Sequence, residues 1–171
     1  KVALVACVGN DRFGIDAVSQ YQTEGIDTSF VRQVANRPTG TAAIIVDDHA
    51  ENCIVIVSGA NAELTPADVR EASSAIQQAD AVLCQLETPL DATLEAFRLA
   101  RAAGKRTVLT PAPVAELPEE LLRHCDLCVP NKTEIEFLAG FPVHSPEDAH
   151  SAAKSLRARG VRSVVVTMGK S

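Results

Sequence analysis

No tryptophan occurs in the 171 residues, and aromatic side chains of every kind make up only 4% of them. Bases stack on aromatics in single-strand binding, and aromatics anchor large protein interfaces, so their scarcity disfavours both roles. An excess of positive charge is also missing. The formal net charge is −6, which disfavours a partner built on a phosphate backbone, and no nucleic-acid partner is expected. A small anionic ligand remains compatible with that sign, because backbone N–H groups at a helix N-terminus bind anions locally. No uninterrupted apolar segment is long enough to span a bilayer, so no membrane partner is expected either. The opening run Lys1-Val-Ala-Leu-Val-Ala-Cys-Val-Gly9 imitates a secretory leader. It runs into Gly9-Asn-Asp-Arg-Phe-Gly14 without a small-residue cleavage site and reads as a buried strand.

A paired cysteine framework is absent as well. Five cysteines are an odd number, and all but Cys125 sit inside apolar runs, as expected of buried thiols in a reducing cytoplasm. Cys125 and Cys128 have C-x-x-C spacing but no second pair and no clustered His. Positions three apart on a strand face opposite sides, so a metal or redox centre is disfavoured. The glycine-rich nucleotide signatures are missing too. Gly169-Lys170-Ser171 resembles the end of a Walker A loop, but Val164 stands where its first glycine belongs. Gly9 to Gly14 has similar spacing, with Ile15 and Asp16 in place of Lys and Ser/Thr, and no G-x-G-x-x-G occurs. Asn131-Lys132-Thr133 is formally a glycosylation acceptor, with nothing else to suggest secretion. The four histidines lie in predicted turns or near helix ends and read as solvated.

What is present is a rhythm of short apolar runs alternating with helical patterns. Asp80–Glu87, Arg106–Thr110, Asp126–Val129 and Ser163–Thr167 read as buried strands of a parallel sheet. Right-handed crossovers place the carboxyl ends of such strands on one edge, where open α/β sheets bind ligands. Glu87, Thr110, Asn131 and Glu134 are therefore expected on that edge. Gly14–Glu24 reads as a helix stopped by Gly25. Thr65-Pro66 and Ser145-Pro146 are N-cap and N1-proline starts, with Leu64 and Val69 as a hydrophobic staple. A further helix with Leu90, Leu94 and Phe97 on one face ends at Gly104, and the last stops at Gly160. Between Thr39 and Ser58, two β-rich runs flank a turn with no helix between them, which predicts an antiparallel pair projecting as a flap. No internal repeat or linker interrupts the chain, and both of its ends read as cuts within a larger fold.

Two constellations carry chemistry. Asn131 followed by Glu134 reads first as a capping box. The same geometry, a helix N-terminus at a strand's carboxyl end beside a carboxylate, also suits phosphate and a hydrated Mg²⁺. Glu87 reads either as a carboxylate emerging into solvent or as an acceptor for sugar hydroxyls.

Taken in order, Val8-Gly-Asn-Asp-Arg-Phe-Gly14, Gly25-Ile-Asp-Thr-Ser29, Thr39-Gly-Thr-Ala42, Glu51-Asn52 and Gly59-Ala-Asn-Ala62 form one half of a pattern. Gln85-Leu-Glu87, Pro111-Ala-Pro113, Leu117-Pro118, Pro130-Asn131 with Glu134, and Val166-Thr-Met-Gly169 continue it. In that order and over the whole chain, these segments resemble the ribokinase branch of the PfkB carbohydrate-kinase family. The resemblance implies a three-layer, Rossmann-like α/β fold, mainly parallel, with a small antiparallel β lid. Residues 1–171 would form a single truncated domain of this kind, with residues 28–58 including part of the lid.

It further implies ATP-dependent phosphorylation of the 5-hydroxyl of ribose. Glu87 would bind the sugar. Asn131, Thr167, Gly169, Lys170 and Ser171 would serve ATP, and Glu134 would hold Mg²⁺ through water. A monovalent cation such as K⁺ would activate the enzyme, and the lid would form a homodimer contact. Thr110 stands where the family usually has Asn, and Ala50 where a lid glycine is usual. The family's sugar-binding Gly-Gly motif and its first Asp are expected before Lys1. Its Gly-Ala-Gly-Asp anion hole, its catalytic base and the cation site are not in the chain, and the motif is expected beyond Ser171, which leaves no catalytic residue within the chain. The competing readings are another sugar or nucleoside kinase of the family, and a non-catalytic sugar- or nucleotide-binding module derived from one.

Overall fold

The structure, a computed structural model, describes residues 1–49 and 52–169, with Asn52 described by its backbone only. Strand β1 (Ala3–Gly9) pairs in parallel with β2 (Asp27–Val34), Cys7 lying opposite Arg32 and Gly9 opposite Val34. Helix α1 (Arg12–Thr23) makes the crossover, with Asp11 at its N-cap accepting from the Gly14 N–H. β3 (Thr41–Val46) and β4 (Asn52–Val57) form the expected antiparallel pair, Ile44 opposite Ile54. A 3₁₀ turn (Gly59–Glu63) leads to α2 (Pro66–Glu71) and α3 (Ser73–Gln78).

The rest of the chain alternates. β5 (Ala81–Cys84), α4 (Leu90–Ala102), β6 (Arg106–Leu109), α5 (Glu119–Arg123) and β7 (Leu127–Cys128) come first. α6 (Lys132–Ala139), α7 (Pro146–Ala158) and β8 (Ser163–Val164) follow. The four strands pair in parallel in the order β5-β6-β7-β8. This is an α/β fold whose parallel strands are flanked by helices, with a separate small antiparallel sheet.

The caps explain the helix starts. Thr65 and Ser145 each accept from the third residue of their helix, and Pro66 and Pro146 occupy the first turn as read from the sequence. The structure adds what the residue pattern did not suggest: Asp68 and Asp148 return the bond to the N-cap backbone, so both starts are full capping boxes.

The larger core lies on one face of the four-stranded sheet. Cys84, Leu109, Cys128 and Val164 stand opposite one another along the ladder and pack on Phe97, Leu121, Leu122, Ile135 and Leu156, supplied by α4 to α7. A second cluster joins Cys7 of β1 to Leu64, Val69, Ile76 and the alanine face of α4 at Ala92, Ala96 and Ala100.

Several expectations need correction. The apolar runs predict strands buried on both faces, but Leu83 is 69% exposed and Val165 52% exposed on the opposite face. The strands are also shorter than the runs: β5 ends at Cys84 rather than Glu87, and β8 at Val164 rather than Thr167. Cys53, inside an apolar run, is exposed, whereas Cys125, outside one, is buried. Cys125 precedes β7 instead of lying on it, so strand alternation does not separate it from Cys128. Both thiols are buried in the core, and the neighbouring Cys125 thiol together with burial pushes Cys128 up.

Candidate active site

The carboxyl ends of β5 to β8 form one edge, and the described residues among those read as functional lie on it or just beyond it. Glu87 follows β5 by three residues. Its own N–H donates to the Gln85 side chain, and the preceding Leu86 N–H donates to Ala112 O at 2.8 Å. The loop after β6 thus braces the loop after β5. Thr110 follows β6 and donates its N–H to Cys84 O at 3.0 Å. Neighbouring strands lie ~4.8 Å apart, so the turns after β5 and β7 begin about 10 Å from each other across the ladder.

After β7 the chain turns at Pro130 into α6. Asn131 and Glu134 bind each other three times. The Asn131 N–H donates to Glu134 Oε2 at 2.8 Å, the Asn131 amide to Oε1 at 2.7 Å, and the Glu134 N–H to Asn131 Oδ1 at 2.9 Å. Glu134 is only 7% exposed. The capping function of this pair is therefore fully formed. Thr167 lies alongside: it bridges in parallel to Asn131, and its N–H donates to Pro130 O at 2.9 Å. Gly169 is exposed at φ +71°, two residues further on. Lys170 and Ser171, as well as Ala50 and Glu51, lie outside the described residues. Among the described residues no three His, Cys, Asp or Glu side chains cluster as a metal site.

Glu87 has a second setting. A cleft of about 160 Å³ opens where the β3–β4 hairpin leaves the body. The hairpin supplies Thr41, Ala42, Ile56 and Val57 to its wall, while Gly40 and Asn61 line its root and Glu87 closes it from the sheet edge. Asn61 sits in the 3₁₀ turn, its side-chain amide so close to Gly40 that a Cβ there would stand 3.0 Å from it. Reading single residues for chemistry found only Glu87 of this set. The signal for the others was their membership of the Thr39–Ala42 and Gly59–Ala62 segments. The hairpin strands are apolar on both faces and exposed on both: Ile44, Ile45 and Val46 are 60–64% exposed, and Ile54 to Val57 48–53%.

A cleft under an antiparallel flap, closed by a carboxylate at the edge of a parallel sheet that also carries a capped, phosphate-suited helix start, matches the sugar-kinase pattern of the sequence. The family model described as pfkB family carbohydrate kinase matches residues 1–171. The chain belongs to the pfkB family. It is 40% identical over 169 residues to a ribokinase of Haemophilus influenzae, spanning 99% of this chain and 55% of that protein. It is 41% identical over 172 residues to a ribokinase of Mus musculus, spanning 100% of this chain and 53% of that protein. Among solved structures it resembles Arabidopsis thaliana ribokinase complexed with ribose and ATP, with TM-score 0.84 and 28% identity over 96% of this chain and 54% of that one. The chain thus spans about half the length of the curated relatives it matches. A pfkB chain accounts for both the parallel sheet and the separate hairpin, which no dinucleotide or Walker fingerprint would have explained.

Proposed function

We propose that this chain supplies part of an ATP-dependent kinase that phosphorylates D-ribose at its 5-hydroxyl. The observation that carries the reading is the position of Glu87, which closes the cleft beneath the hairpin and follows the strand edge that also bears Asn131, Glu134 and Thr167. An ionised carboxylate there accepts sugar hydroxyls, while Asn131, Thr167 and Gly169 take the nucleotide end, with Lys170 and Ser171 beyond them. The ribokinases similar to this chain support ribose as the sugar and ATP as the donor.

The donor set at Glu134 fits a hydrated Mg²⁺ and does not form a bare-ion cage. Two of the roughly four lone-pair sites of its carboxylate are taken by Asn131, leaving acceptors for water. When bound, Mg²⁺ would neutralise charge on the transferring phosphates. What the chain's own residues do is bind and orient: they hold the sugar hydroxyls at one end of the edge and the phosphates at the other. K⁺ activation belongs to the same reading, with no residue here assigned to it. No catalytic base is assigned within the chain: among the described residues Glu87 is the only carboxylate lining the cleft, and it is assigned to the sugar. The exposed apolar hairpin supports a homodimer contact through it. Five free thiols support a cytoplasmic setting, and among the described residues no helix is long and apolar enough to cross a membrane.

The test is a coupled ADP-release assay with ATP, Mg²⁺, K⁺ and either ribose or 2-deoxyribose, on the protein as encoded. Ribose-dependent turnover within about 1–100 s⁻¹ and a ribose 5-phosphate product are expected. Absence of ribose-dependent release would overturn the reading. The 171-residue segment alone is expected to be silent, and turnover from it would mean that a base lies within it.

A further inference from the structure

Asp11 does more than cap a helix. Its Oδ1 accepts from the Gly14 N–H at 2.9 Å, the ordinary N-cap bond of α1. The same oxygen accepts from the Thr39 hydroxyl at 2.6 Å, and Oδ2 accepts from the Thr39 N–H at 2.8 Å, a residue 28 positions away. Thr39 Oγ1 accepts in turn from the Gly9 N–H at 2.9 Å. One carboxylate and one hydroxyl therefore close a polar knot between the β1–α1 turn and the chain entering β3. These bonds hold the Asp11 carboxyl below its ordinary range, as expected of an ionised acceptor.

The knot extends to the chain leaving the hairpin. The Ala60 N–H donates to Pro38 O at 2.8 Å. Gly59 sits at φ +49°, where a Cβ would meet Pro38 O at 2.4 Å. At Gly14 a Cβ would meet Gly9 O at 2.2 Å and the Thr39 hydroxyl at 2.8 Å. Both legs of the hairpin are thus clamped to the body at one point, immediately before Gly40 and Asn61 of the cleft. Beyond that point the described part of the hairpin has little apolar packing to hold it, because its large side chains are exposed on both faces.

We propose that Asp11 is a positioning residue that, through Thr39, latches the root of the β3–β4 hairpin to the β1–α1 turn and so sets how the hairpin lies over the cleft closed by Glu87. The consequence for sugar affinity rests on the kinase reading above; the latch does not. A hydrogen bond to a charged group is among the stronger ones, and the remaining constraints on the hairpin are few.

The test separates capping from latching. Asp11→Ser keeps a good N-cap for α1 but cannot accept twice from Thr39. Thr39→Val removes the hydroxyl from the other side and leaves the Gly14–Asp11 bond in place. Thr39→Ser restores the hydroxyl. Amide hydrogen exchange is followed in 41–46 and 52–57, and separately in 12–15. The latch predicts about ten-fold faster exchange in the hairpin for Asp11→Ser and Thr39→Val, near-native exchange for Thr39→Ser, and little change in 12–15. The double variant Asp11→Ser/Thr39→Val should show less than the sum of the single effects, because both changes remove the bond between the Thr39 hydroxyl and the Asp11 carboxylate. Unchanged hairpin exchange in the two single variants would overturn the proposal.

In the protein as encoded, the ribose KM should rise about ten-fold in Asp11→Ser while kcat stays within about two-fold. Faster exchange with unchanged KM would overturn the link between latch and cleft. Absence of ribose turnover in the unsubstituted protein would overturn the substrate reading, with the latch still decided by exchange.

Discussion

The four-stranded sheet and the hairpin use similar residues to opposite ends. On the sheet, Leu109, Cys128 and the helix residues facing them are fully buried. On the hairpin, Ile44, Ile45, Ile54 and Ile56 are equally apolar and about half to two-thirds exposed. The sheet region is held by burial. The chain on either side of the hairpin is tied to the body by polar bonds: Asp11 to Thr39, Arg37 to Glu63 and, at the end of β2, Arg32 to Asp68. Apolar composition alone therefore does not locate the core. What decides is whether a strand has a helix layer to lie against.

The sharpest way to break this comparison is to remove apolar volume from each region. Phe97 is fully buried in the larger core cluster, so Phe97→Ala should destabilise the chain by about 3–5 kcal/mol. Ile45, 60% exposed, should lose less than about 0.5 kcal/mol on truncation to Ala. Denaturant midpoints of the two variants check this. Similar losses would mean that the hairpin is packed against something in solution.

Where the sequence was legible, the reason is local. Thr65-Pro66, Ser145-Pro146 and Asn131 with Glu134 specify helix starts within a few residues, and the two runs around Asp47 specify a hairpin without any reference to the rest of the chain. Cover is not local. Nothing in Ala81–Cys84 says that Cys84 meets α4 while Leu83 meets solvent. The latch was illegible for the same reason: Asp11 and Thr39, the two residues that form it, stand 28 positions apart. The cleft was half legible, since Glu87 is chemically conspicuous while Gly40 and Asn61 act through position. The capping boxes at Asp68 and Asp148 were missed because the usual signature has Glu or Gln at that place.

Glu87 lies where the two regions meet. Removing its carboxylate should leave stability nearly unchanged, because the side chain is exposed. Under the kinase reading, Glu87→Ala should weaken ribose binding roughly ten- to a hundred-fold, the worth of a lost charge-assisted hydrogen bond. Calorimetric titration of ribose into the protein as encoded measures it. Unchanged affinity would remove Glu87 from the sugar site.

A polar tie should be more sensitive to acid than a buried core. Asp68 receives two hydrogen bonds from Arg32, which hold its pKa at about 2, below the ordinary 3.8. The folded value is the lower one, so this stabilisation is present above pH 3.8 and is lost as pH falls through 2. Arg32 is 42% exposed, so solvent screening limits the effect to about 1 kcal/mol. Asp68→Asn should flatten the stability profile between pH 4 and 2 and leave the Phe97 contribution untouched. A profile as steep as that of the unsubstituted chain would assign the acid sensitivity to other carboxylates.

The smallest effect tests whether the sheet's polar edge is only structural. Asn131 caps α6, and Asn131→Ala should lower stability by about 1 kcal/mol. Glu134 is the more informative partner. Both of its oxygens accept from Asn131, one from the backbone N–H and one from the side-chain amide. In Glu134→Gln, whichever way the new amide turns, its NH₂ group faces one of those donors. One bond is lost in a nearly buried setting, and about 1 kcal/mol should go with it. Under the kinase reading, if capping is the whole role, the Mg²⁺ concentration that half-saturates turnover should not move. If the carboxylate also holds the hydrated ion, removing its charge should raise that concentration several-fold, and Asn131→Ala, with the charge retained, should raise it less. Melting temperature and Mg²⁺ titration on the same two proteins separate the roles, because a capping defect alone lowers the first without shifting the second.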